Sequence, residues 1–165
     1  MDLIKELATE MENEAATTRK MLARLPDDRL DWSPHPKSMT LRQLATHIAE
    51  IPSWVVIAVE QDELDFNAGD YRPTQINSRA DISALFEKSY ETGQAALQRL
   101  PAPKLDTPWI MRGGDVVYLD TTKYGMVRHA FAQTIHHRAQ LGVFLRLLDV
   151  AIPGSYGPSA DEMGG

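Results

Sequence analysis

Between residues 2 and 25, Ile4, Leu7, Met11, Ala15, Leu22 and Leu25 recur at three-, four- and seven-residue steps. That is the period of a helix with one apolar face. Pro26-Asp27-Asp28 ends it, and residues 26–39, with Pro26, Pro34 and Pro36, read as an irregular connection. A second helix begins at Thr40, a good N-cap, and its stripe is Leu41, Leu44, Ile48, Val55 and Val59. Pro52 falls inside that stripe and should kink or split the helix. Residues 62–77 hold Asp62, Asn67, Gly69, Asp70, Pro73 and Asn77, the composition of a long loop.

Ser78-Arg79-Ala80-Asp81 resembles a capping box with Asp at its fourth position. Ile82, Leu85, Phe86, Ser89, Gly93, Leu97 and Leu100 then mark one face of a third helix, which Pro101 and Pro103 stop. Trp109–Tyr118 reads as a short hairpin turning at Gly113-Gly114. The last helix spans about Thr122 to Val150, and Pro153, Gly154, Gly157 and Pro158 make a tail. Four helices of roughly 20 to 30 residues with apolar seams predict an all-α four-helix bundle. The connections at 26–39, 62–77 and 101–119 are long enough for crossovers, and the hairpin lies in the last of them.

At 165 residues the expectation is a single domain over 1–165. A chain of this size buries about two-thirds of its unfolded surface, so it folds without a disulfide or a metal. The balance of 17 Lys+Arg against 23 Asp+Glu gives a net charge of −6, which argues against a nucleic-acid partner. The absence of Cys excludes disulfides, zinc–thiolate sites, iron–sulfur clusters and a protein thiol nucleophile. No apolar run reaches the ~18 residues of a membrane span. The opening Met-Asp-Leu-Ile-Lys-Glu is unlike a signal peptide, and the expectation is a cytoplasmic protein. The glutamates of the first helix read as a solvated face.

The histidines change the picture. They are His35, His47, His129, His136 and His137. His35 stands between two prolines and reads as a loop residue. On the last helix a seven-residue seam of Val127, Ala130, Thr134, His137, Leu141, Phe144 and Leu148 puts His137 in the core. A polar stripe of His129, Gln133, His136 and Gln140 runs beside it. A buried imidazole needs a partner, either a hydrogen bond or a metal ion. If the second and last helices pack together, His47 and His137 converge inside the bundle, where such sites are built. Gln133 and His137, four residues apart, share a face and one ion is within reach of both. His129 lies about 12 Å from His137 along the axis, too far to join easily. His136 points about 100° away from His137, so only one of the two enters a given ligand set.

Other signatures fail. No histidine has Glu three residues before it, which excludes the di-iron bundle pattern. His-Glu-x-x-His, the P-loop, Gly-x-Gly-x-x-Gly and the Gly-x-Ser-x-Gly of serine hydrolases are absent. Trp32, Trp54 and Trp109 read as core or pocket walls.

Met39-Thr-Leu-Arg-Gln-Leu-Ala-Thr-His47-Ile-Ala-Glu50, Ile135-His-His137-Arg-Ala-Gln-Leu141 and the tail Ile152-Pro-Gly-Ser-Tyr-Gly-Pro-Ser159 resemble the DinB-like family, over essentially the whole chain. The resemblance implies a helical bundle with an unusual crossover order, often a homodimer. It implies a divalent metal, commonly zinc or nickel, held by one His from the second helix and a His-x-x-x-His pair on the last. Carried onto this chain, those positions are His47, Gln133 and His137. Gln133 departs from the usual His, and its neutral, hard amide oxygen is a poorer partner for zinc or nickel.

The expected function is a divalent-metal-dependent enzyme transferring a low-molecular-weight thiol, such as bacillithiol or mycothiol, to a small-molecule electrophile. The thiol has to come from outside, because the chain has no Cys. Glu50 is placed to orient His47 or accept a proton, and the hairpin and long loops to wall the pocket. No catalytic residue is assigned. The rival reading is a non-catalytic helical bundle or dimerisation module with a degenerate metal site.

Overall fold

The computed structural model describes residues 2–69 and 74–164. Asp70 and Pro73, part of the expected loop, lie outside the described residues. The first helix, α1 (Leu3–Leu22), starts where the Asp2 carboxylate accepts from the Lys5 N–H at 3.2 Å. Helix α2 (Leu41–Glu50) starts on a full capping box. Thr40 Oγ1 accepts from Gln43 N at 3.2 Å, and Gln43 Oε1 accepts from Thr40 N at 2.8 Å. At Pro52 the helix splits. Ile51–Ser53 tighten into a 3₁₀ turn, and α3 (Trp54–Glu60) continues beyond it.

Helix α4 (Arg79–Arg99) is capped by Ser78, which accepts from Asp81 N at 3.1 Å. The Asp81 side chain also reaches back to the start of the helix. Its carboxylate accepts from Asn77 N at 3.0 Å, one residue before Ser78. Helix α5 (Lys123–Leu147) is capped by Thr122 and ends three residues before the expected Val150. The chain leaves the helix at Asp149, whose φ is 56°.

A small sheet interrupts the helical order. Strand β1 (Glu63–Asp65) runs parallel to β2 (Pro108–Gly113), and β2 pairs antiparallel with β3 (Val116–Thr122). The expected 62–77 loop is therefore partly a strand. Three residues are too few for alternation to show. Charge holds the strand instead: the Arg112 guanidinium pairs with Glu63 at 2.9 Å and with Asp65 at 2.6 Å. The hairpin turns at Gly114-Asp115, one residue beyond the expected pair, and Gly113 stays in the ladder opposite Val116. Gly114 has φ 60°, the conformation that makes glycine suitable there. Asp65 Oδ1 accepts from Gly114 N at 3.0 Å and fixes the turn against β1.

Helix α1 packs on α4 and α5, and the α2–α3 pair packs on the same two. The order around the bundle is thus α1, α4, α2–α3, α5. The α1–α2 and α4–α5 connections cross between diagonal helices, as their length permits. Gly93 allows α4 to approach the broken helix: a Cβ there would sit 2.3 Å from the Pro52 carbonyl oxygen. One apolar core gathers around Leu22, Leu44, Ile48, Phe86 and Leu141. A second gathers around Ile51, Val55, Leu97, Trp109 and Phe131 at the sheet end. Trp109 is fully buried there, so it belongs to that core.

The seam of α5 corrects the expected one. Its buried residues are Met126, Val127, Ala130, Phe131, Thr134, Arg138, Leu141, Gly142 and Leu145, with Lys123 at the start. Val127, Ala130, Thr134, Arg138, Leu141 and Leu145 follow the 3.6-residue period of a straight helix. The seven-residue seam drifts by about 20° per heptad against it. By the middle of the helix the core position has moved from His137 to Arg138, and His137, Phe144 and Leu148 are only half-buried.

Arg138 is 1% exposed, and both terminal nitrogens of its guanidinium are paired. Nη1 lies 2.6 Å from Glu14 Oε2 and donates to Glu14 O and Thr18 Oγ1, each at 3.2 Å. Nη2 donates to the Tyr156 hydroxyl at 2.9 Å, and that hydroxyl donates to Glu14 Oε1 at 2.8 Å. One cation thus ties α5 to α1 and to the tail. The glutamates of α1 are accordingly not just a solvated face. Glu10 pairs with Arg128, and Glu12 meets both Arg19 and the Tyr90 hydroxyl. Spacing along one helix does not reveal partners supplied by others.

Removing one partner of a buried pair costs about 3–5 kcal/mol, because it strands the other charge. Arg138→Ala should lower unfolding free energy by about that amount in urea denaturation, and Arg138→Met with Glu14→Gln should recover most of it. A loss below about 1 kcal/mol in Arg138→Ala would contradict the anchoring role.

Candidate imidazole site between the second and last helices

Helices α2 and α5 are in contact, and with Arg138 turned inward its neighbour His137 faces the α2 flank. There the His47 and His137 rings meet edge to face, with centroids 4.6 Å apart and planes at 80°. The break at Ile51–Ser53 brings Trp54 against His47, centroids 5.4 Å apart. On its other side Trp54 lies nearly parallel to His129, with planes at 11° and centroids 6.4 Å apart. His136 meets His137 at 4.8 Å. The result is one continuous row of rings: His129, Trp54, His47, His137 and His136. His35 is apart from it, exposed in its loop, where Nδ1 accepts from Lys37 N at 3.1 Å.

The polar stripe pairs within itself. Gln133 Nε2 lies 3.4 Å from His129 Nε2. Gln140 Oε1 lies 2.9 Å from His137 Nδ1, and Gln140 Nε2 lies 3.1 Å from His136 Nε2. The structure therefore brings His47 and His137 together, while the Gln133 amide is engaged by His129. Gln140 stood in the sequence stripe, but spacing alone did not single it out as a bridge between two histidines.

Burial, first, and the neighbouring His137 lower the His47 pKa from its ordinary value, against an opposing pull from Glu50. Glu50 also accepts from Thr74 Oγ1 at 3.0 Å. Burial lowers His129 as well. Both rings are thereby biased toward the neutral form, the one that ligates a metal or takes up a proton.

Among the described residues no group of three or more His, Cys, Asp or Glu gathers around one point. Two imidazoles from different helices do meet, and imidazole suits zinc, nickel and copper. The chemistry of these two side chains fits such an ion. A catalytic zinc site ordinarily has three protein ligands. Leu64, Met111 and Leu119 pack on the core around Trp109. A small cavity of about 20 Å³ lies among Met11, Glu14, Pro52, Tyr90 and Phe131. An open groove of about 440 Å³ runs between α5 and the tail, past Val143, Leu147 and Pro153.

The architecture is that of a helical bundle with diagonal crossovers and histidines meeting between its second and last helices. The model of the DinB family matches residues 1–164, and the chain belongs to that family. A DinB-like protein from Bacillus cereus is similar in structure, with TM-score 0.72 and 23% identity over 92% of this chain and 97% of that one. One from Bacillus subtilis gives 0.70 and 18% over 91% and 96%. A mycothiol-dependent maleylpyruvate isomerase gives 0.60 and 12%, covering 84% of this chain and 60% of that longer one. These likenesses show a shared fold. No curated protein matches the sequence. Among the described residues no helix is long and apolar enough to cross a membrane.

The depressed imidazoles set a pH dependence. His47 and His129 bind a proton less readily folded than unfolded. Their contribution to stability is complete above the ordinary value of 6.5 and is lost as pH falls below it toward the folded-state values. NMR titration of metal-free protein should place both rings below 6.5, with the urea midpoint falling over the same window. Titration of both at or above 6.5 would contradict the burial that the geometry shows.

Proposed function

We propose that this DinB-family protein is a divalent-metal-dependent enzyme that transfers a low-molecular-weight thiol to a small electrophilic substrate. The observation carrying this reading is the meeting of His47 and His137 from separate helices, their rings 4.6 Å apart. Support for the thiol comes from the mycothiol-dependent isomerase that shares the fold.

His47 and His137 would hold the ion as neutral nitrogen donors. Gln133 is the third side chain of the set; its Nε2 lies against His129, and its amide oxygen is the atom that would face the ion. A bound ion of this kind lowers the pKa of a thiol or water and supplies a nucleophile at neutral pH. Because the chain has no Cys, the thiol is a co-substrate. Trp54 offers an apolar wall next to His47. His129, biased toward neutral by burial, offers a nitrogen that takes up a proton at the far end of the same row.

A second reading has its own observation. The Gln133–His129 and Gln140–His136 contacts satisfy much of the polar stripe without any ion. In that reading the protein is a helical module whose metal site has degenerated.

Elemental analysis of protein purified without a histidine tag separates the two. The enzyme reading predicts near-stoichiometric zinc, nickel or manganese, lost in His47→Ala and in His137→Ala with little change in melting temperature. Thiol consumption with an electrophile should then fall to background in both variants. Failure to retain any of these ions after incubation would remove the enzyme reading. Strong destabilisation of metal-free His137→Ala would support the module.

A further inference from the structure

We propose that Gln140 is a positioning residue that holds His137 in the tautomer protonated on Nδ1, so that the ring's lone pair sits on Nε2. Gln140 lies three residues after His137 and four after His136, the two spacings at which helical side chains are neighbours. It touches both. Its Oε1 is 2.9 Å from His137 Nδ1, and an amide oxygen only accepts, so that nitrogen must carry the proton. Its Nε2 is 3.1 Å from His136 Nε2, which must then be the acceptor. The two contacts make one directional chain, from the His137 N–H through the amide to His136. Both contacts use one amide orientation, with the oxygen toward His137 and the nitrogen toward His136.

This arrangement works against intrinsic preference. A neutral histidine in water favours the proton on Nε2, which would leave no lone pair there. An acceptor held at Nδ1 reverses the balance, as the hydrogen-bond partners of metal-bound histidines do. A reversed amide would require the opposite tautomer at both rings, so the proposal names one of two distinguishable states. That the free Nε2 serves an ion rests on the functional reading above. The tautomer itself does not.

Gln140 is exposed, so its substitution leaves the core intact. Long-range ¹H–¹⁵N correlation spectra of metal-free protein, recorded where the rings are neutral, read the tautomer directly. His137 should be protonated on Nδ1 in the parent and in Gln140→Glu, whose carboxylate accepts in the same place. It should move toward the Nε2-protonated form in Gln140→Ala. Titration with zinc or nickel should show affinity about 10- to 100-fold lower in Gln140→Ala and restored in Gln140→Glu. An Nε2-protonated His137 in the parent, or a tautomer unchanged in Gln140→Ala, would overturn the proposal. The expected tautomers with no ion bound by the parent protein would support Gln140's role and defeat the metal-enzyme reading alone.

Discussion

The buried Arg138 guanidinium sets the rotation of α5, and the rest of the candidate site follows from that setting. At 1% exposure it cannot stay charged without partners, and Glu14, Thr18 and Tyr156 supply them from α1 and the tail. Successive helical residues diverge by about 100°. With residue 138 directed at α1, residue 137 is carried to the flank that packs on α2, where it meets His47. Rotating α5 enough to bury His137 would withdraw Arg138 from Glu14. The ion pair and the imidazole pair are therefore two consequences of one orientation.

The second constraint is the broken helix. Pro52 has no N–H to continue the helical ladder, and the 3₁₀ turn it occupies brings Trp54 back against His47. Gly93 on α4 leaves room for the buried Pro52 carbonyl at this point. The row of rings thus depends on two local backbone features that lie outside the row.

Much of the fold was legible because it rests on local chemistry. Thr40 and Ser78 cap where a hydroxyl before an apolar period should, and Pro52 breaks the helix it interrupts. What escaped depends on other elements. The three residues of β1 carry no readable period, and Arg112 on a strand 47 residues away in the chain holds them. The seam of α5 was placed on a seven-residue repeat that suits supercoiled helices, whereas this helix keeps its own 3.6-residue period and buries Arg138. Around the site, the meeting of His47 with His137 could be stated in advance because it needs only two helices in contact. The pairing of Gln133 with His129 and of Gln140 with both His136 and His137 turns on rotamers that spacing does not determine. The fold is shared with a thiol-dependent isomerase, but a fold does not specify a reaction, so the site has to carry the functional argument.

Whether His47 and His137 share one ion is decided by locating that ion. Crystals grown with zinc or nickel, with anomalous diffraction collected at the metal's absorption edge, give its position without reference to activity. A shared site gives one strong peak within bonding distance of a ring nitrogen of both His47 and His137. A peak confined to His35 or His136, or no peak between His47 and His137 in ion-soaked crystals, would contradict it.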